Sequence, residues 1–125
     1  MTGAVRSMTF PGDVSSVGHA RHWVLDVLAD LSWSGPTDDV VLLVSELATN
    51  AVLYSPGLFD VMVYAHHCGL WVSVADCGDG RTIVPRHPGR DELSGRGLAI
   101  VQAASSAWGT SPDRMGKAVW FEVPT

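Results

Sequence analysis

The chain has 125 residues, 46% of them hydrophobic and 17% charged, and a formal net charge of −5. These values suit one folded domain with a sizeable core and exclude a disordered polymer. Lys117 is the sole lysine and the arginines are scattered, so no basic run recommends a nucleic-acid or anionic-membrane partner. Cys68 and Cys77 form no Cys-x-x-Cys motif. With no apolar leader at the N-terminus and no apolar run near the ~18–20 residues that span a bilayer, a cytoplasmic chain with reduced thiols is expected.

In chain order, Met8 to Phe10 reads as a short edge strand stopped by Pro11-Gly12. Asp13 or Ser15 can cap a first helix running to about Leu31, whose apolar side is Val17, Ala20, Val24, Leu25, Val27 and Leu28. Ser34-Gly35-Pro36 breaks it, and Thr37 followed by Asp38 and Asp39 starts a second helix that ends before Pro56-Gly57. Two β-rich runs, Leu58–Ala65 and Leu70–Ala75, form a hairpin around His66-His67-Cys68-Gly69. Residues 76–96 are a charged Gly/Pro-rich loop, followed by a third helix from about Gly97 to Ala107. Strands near Trp108–Ser111 and Lys117–Val123 close the chain. Grouped strands with separate helices predict an α+β two-layer sandwich over residues 1–125, a mixed sheet with helices on one face.

Three motifs carry chemistry. Glu46 and Asn50 stand four apart in the otherwise apolar run Val40 to Leu53, which puts them on one helix face about a turn apart. A carboxylate and a carboxamide on a buried helix are costly unless something satisfies them. A metal ion, a phosphate or a reacting hydroxyl would do so. Asp76-Cys77-Gly78-Asp79-Gly80 follows an apolar strand. It reads either as a tight turn or as a ligand contact, with Asp76 accepting a hydrogen bond and the glycines admitting a ligand to the backbone. Ser94-Gly95-Arg96-Gly97 opens an apolar helix, either as a flexible start or as an anion site at the helix N-terminus. No P-loop and no Rossmann fingerprint is present.

In this order the motifs resemble those of the GHKL, or Bergerat-fold, ATPases, a superfamily that includes gyrase-type ATPases, histidine kinases and heat-shock chaperones. The resemblance is strongest to the small bacterial anti-sigma-factor serine/threonine kinases. Ser45-Glu46-Leu47-Ala48-Thr49-Asn50-Ala51-Val52 is similar to their N-box, Ser94 to Leu98 to their second glycine box, and Gly116 to Glu122 to their closing strand. The resemblance implies a Bergerat fold with a flexible ATP lid over residues 81–96. It implies Mg²⁺ on Asn50, Glu46 as general base, and Asp76 on the adenine amino group with Gly78 and Gly80 giving the ring room. Gly95 and Gly97 would contact phosphates, with Arg96 stabilising charge on the transferring phosphoryl group. The implied ligands are ATP or ADP with Mg²⁺. The implied protein partners are a sigma factor and an anti-sigma-factor antagonist, and a homodimer is consistent with the branch. The chain departs from the branch at Tyr54, where a histidine is usual, and at Gly116-Lys117, where many relatives have Gly-Thr. A nucleotide-gated binding module with little catalysis is the alternative. A detached ATP-binding half of a histidine kinase is a third reading, against which the chain has no helix pair bearing a phosphorylatable histidine.

Overall fold

The structure, a computed structural model, describes residues 3–54, 57–76, 107–113 and 116–125. Of the expected loop over residues 76–96 and third helix from Gly97 to Ala107, only the two ends are described, and both are strand. Asp76 closes one and Ala107 opens another, while residues 77–106 lie outside the described residues. The described elements are β1 (Ala4–Phe10), α1 (Ser15–Asp30), α2 (Thr37–Tyr54), β2 (Phe59–His66), β3 (Gly69–Asp76), β4 (Ala107–Asp113) and β5 (Gly116–Pro124).

β1 is longer than the sequence predicts, because polar Arg6 and Ser7 hide its first half. Its whole length is recruited by antiparallel pairing with β2, from Ala4 opposite Ala65 to Phe10 opposite Phe59. Helix α1 starts without the predicted side-chain cap. Val14 is the N-cap residue, and Ser15 is already helical. The Asp13 carbonyl accepts the Ser16 N–H at 3.0 Å, and the Ser15 hydroxyl donates to the Asp13 carboxylate. At the other end Ser32 adopts a left-handed φ of 56°. The Ser32 N–H then reaches the Ala29 carbonyl at 3.1 Å and the Trp33 N–H reaches Leu28 at 3.0 Å, a Schellman stop. Helix α2 begins at Thr37 with Asp38 and Asp39 in its first turn, where the helix dipole favours carboxylates.

The five strands form one sheet in the order β1-β2-β3-β5-β4. Every pairing is antiparallel, which corrects the expected mixed sheet. Two hairpins, β2–β3 and β4–β5, join through β3 and β5, which run in opposite directions, so no parallel neighbours arise. The period of two sends Phe59, Val61 and Val63 of β2 to one face with Leu70, Val72 and Val74 of β3 and Val119, Phe121 and Val123 of β5. All are buried in one cluster with Ala20, Val24, Val27 and Leu28 of α1 and Val40, Leu43, Val44, Leu47, Ala48 and Ala51 of α2. Each large member stabilises the fold by roughly 1.5–3 kcal/mol. The opposite face of the sheet carries exposed Val5 and Met62 and half-buried Tyr64, Trp71 and Trp120. Arg6, on the helical side of β1, pairs with Asp30 of α1 at 3.1 Å. Among the described residues no helix is long and apolar enough to cross a membrane.

Candidate functional site

Residues 55–58 alone connect the end of α2 to the start of β2, so the C-terminal end of α2 lies at the end of the sheet where Phe59 begins. Phe59 stands directly opposite Asp76, the last residue of β3. Asn50, one turn before Tyr54, and Asp76 therefore belong to the same end of the molecule. Phe10 closes this end by stacking on Phe59, ring centroids 5.5 Å apart, and meeting the edge of Trp23 at 6.1 Å. Gly57 has a φ of 116°, and a Cβ on Gly12 would fall 2.1 Å from the Gly57 carbonyl oxygen. That close approach holds the turn after β1 against the turn before β2, and it requires glycine at both positions.

The core stripe of α2 passes through Leu43 and Leu47, and the three- and four-residue spacings place Glu46 and Asn50 along its flank. Both side chains are half-buried. Asn50 Nδ2 is wholly enclosed and has no hydrogen-bond partner among the described residues. Leaving such a donor unmade costs about 1–3 kcal/mol. The neighbouring hydroxyls behave differently: Ser45 Oγ donates to the Val41 carbonyl at 2.9 Å and Thr49 Oγ1 to the Ser45 carbonyl at 2.7 Å. Both are absorbed by their own helix.

Asp76 is 7% exposed and lies on the helix-facing side of β3, in line with Val74 and Val72. The sheet pleat thus points a carboxylate into the layer that α2 covers. Neither Glu46 nor Asp76 is without interactions. Of the sequence-derived site residues, Glu46, Asn50 and Asp76 are described, whereas Gly78, Gly80, Gly95, Arg96 and Gly97 lie outside the described residues.

One residue beside the site, Arg21, is among the scattered arginines that the sequence does not single out. Arg21 extends from α1 to Ser45 Oγ at 3.4 Å. With Leu25, Asp38, Leu42 and Glu46 it lines a depression of about 520 Å³ over the two helices. The signal was its four-residue spacing from Val17 and Leu25, which carries it along the α2-facing edge of α1.

Asn50 offers what a phosphate-bound cation needs. Its carboxamide carries a carbonyl oxygen suited to Mg²⁺ and an amide donor suited to a phosphate oxygen. Its enclosed Nδ2, without a partner among the described residues, is a donor that a phosphate oxygen would satisfy. In comparisons with known proteins, no family model and no curated protein matches the chain.

Proposed function

We propose that this protein is an ATP-binding regulatory serine/threonine kinase that acts as an anti-sigma factor, transferring the γ-phosphate of ATP to a small antagonist protein. The observation that carries the reading is the enclosed Asn50 Nδ2, without a hydrogen-bond partner among the described residues, at the same end of the helical layer as buried Asp76. The ordered motifs of the sequence support the same reading, and an α+β fold with helices layered on a sheet is compatible with it.

In this reading Asp76 accepts a hydrogen bond from the adenine amino group, and Gly78 and Gly80 leave the ring room. Asn50 holds the phosphate end of the nucleotide, with Gly95 and Gly97 as backbone contacts. Bound Mg²⁺ supplies neutralisation of the phosphate oxygens. Glu46 accepts the proton of the attacking hydroxyl as the new oxygen–phosphorus bond forms and the bond to the β–γ bridging oxygen breaks, releasing ADP. Arg96 balances negative charge on the phosphoryl group in transit.

Titration calorimetry with Mg-ATP tests the first half, and the expected result is binding that disappears without Mg²⁺. No Mg²⁺-dependent binding of ATP or ADP would sink the proposal. Glu46→Ala should keep nucleotide affinity and slow phosphoryl transfer by about 10²–10⁴-fold. If the unaltered protein binds Mg-ATP yet labels no antagonist protein encoded beside it, the nucleotide-gated binding module takes the place of the kinase.

A further inference from the structure

The helical layer has an outer surface that the core does not use. Leu25 on α1 is 40% exposed and Leu42 on α2 is 41% exposed, and both line the depression that reaches Glu46. Leu53, 61% exposed, lies on the same side of α2 as Leu42 and Glu46. Exposed leucines gathered beside a polar site mark a contact surface better than scattered ones do.

The charges around these leucines define what fits. Arg21 precedes Leu25 by one turn of α1, and its one hydrogen bond among the described residues is the 3.4 Å contact to Ser45. No carboxylate among the described residues stands within ion-pair distance of it. Asp38 precedes Leu42 by one turn of α2 and likewise pairs with no cation among the described residues. Residues 31–36 join the end of α1 to the start of α2, while Arg21, near the start of α1, reaches Ser45 in the middle of α2. The helices therefore run antiparallel, and the leucines lie between the guanidinium at one end and the carboxylate at the other.

We propose that this surface docks an amphipathic helix of a partner protein, one that presents a carboxylate to Arg21, apolar side chains to Leu25 and Leu42, and a lysine or arginine to Asp38. The planar guanidinium takes a carboxylate through two parallel hydrogen bonds, which fixes register as well as charge. The apolar middle supplies the affinity, and the opposite charges at its ends select one orientation. The inference rests on the reading of Glu46 as proton acceptor, since that role requires a hydroxyl-bearing partner to reach the carboxylate, and Glu46 borders the surface.

The test uses two fluorescein-labelled peptides of about 15 residues, long enough to hold a helix. The first carries Lys, Leu and Glu at one-turn steps on one face. In the second that Glu is replaced by Lys. Fluorescence anisotropy in the absence of nucleotide should give the first peptide about tenfold tighter binding. Arg21→Glu should reverse the preference, and Leu42→Glu should weaken both peptides by about tenfold. Equal binding of the two peptides, binding of neither, or a preference unchanged by Arg21→Glu would overturn the docking surface. Far-ultraviolet circular dichroism checks that these exposed-site variants fold. Mg-ATP calorimetry reports on the nucleotide reading separately, and Arg21→Glu should leave that affinity as it was. Intact nucleotide binding with failed peptide binding rejects the docking surface alone, whereas the reverse pattern rejects the kinase reading.

Discussion

Among the described residues two buried polar atoms lack partners, Ser16 Oγ in α1 and Asn50 Nδ2 in α2, and they invite comparison. Ser16 is fully buried in the first turn of its helix. It is the second residue of α1, so its hydroxyl has no preceding helical turn to return to, unlike those of Ser45 and Thr49. The Ser16 side chain is scarcely larger than alanine and fills a place in the Ala20–Val24 stripe. Asn50 presents a longer group with a donor and an acceptor, at the end where Asp76 also turns inward. On the proposed reading, Ser16 is an orphan of packing at a helix start, whereas Asn50 awaits a ligand.

The widest separation between the two should come from Asn50→Leu. The near-isosteric apolar side chain removes the orphan, so the unliganded protein should gain about 1 kcal/mol in urea denaturation. The same change should weaken Mg-ATP binding by about 100-fold in calorimetry, the loss of one charge-assisted contact and its cation. Unchanged nucleotide affinity would put Asn50 in the same class as Ser16. Asp76→Asn sharpens the contrast by asking whether the strand end belongs with Asn50. It should weaken adenine nucleotides by about 1–3 kcal/mol while guanine nucleotides change little.

Ser16→Ala is the reciprocal experiment. It should raise stability by about 1 kcal/mol without touching nucleotide affinity, and a drop in affinity would move Ser16 into the site. The smallest effect concerns the start of α1 itself. The Ser15 hydroxyl, followed by backbone N–H groups, holds the exposed Asp13 carboxyl below its ordinary value. A folded-state value below the unfolded one means stability that is present above the unfolded value and lost as pH falls through the folded one. Thermal unfolding should therefore show a slightly steeper acid loss for the unaltered protein than for Asp13→Asn below about pH 4. Equal slopes would leave the helix start without any electrostatic support.

Much of this fold is legible in the sequence because most elements announce themselves by period and punctuation. Both helices and the β2–β3 hairpin fall within a residue or two of their predicted bounds, since Pro36, Thr37 and the His66–Gly69 turn are local signals. The first half of β1 is illegible because Arg6 and Ser7 interrupt its pattern, and only the pairing with Val63 and Met62 makes it a strand. The antiparallel sheet is illegible because strand neighbours are set across the chain, with β5 between β3 and β4. At the site, Glu46 and Asn50 stand out because polar groups on an apolar helix are expensive. Asp76 stands out less, since Asp before glycine also suits a turn. Arg21 carries only the weak signal of its spacing from Val17 and Leu25, and its place becomes legible when α1 lies beside α2, because a lone arginine on a helix is ordinarily solvated.

The pairing of Phe59 with Asp76 has a consequence for how the chain tolerates change. Along β3 the residues alternate strictly between the two faces, and the buried carboxylate is the last residue of that alternation. Sliding β3 by one residue against β2 would carry Asp76 to the outer face and bring Ala75 under the helices. The hairpin turn at His67 and Cys68 thus acts as a gauge block: a one-residue slip of register there would turn Leu70, Val72 and Val74 outward together with the carboxylate at the far end of the strand.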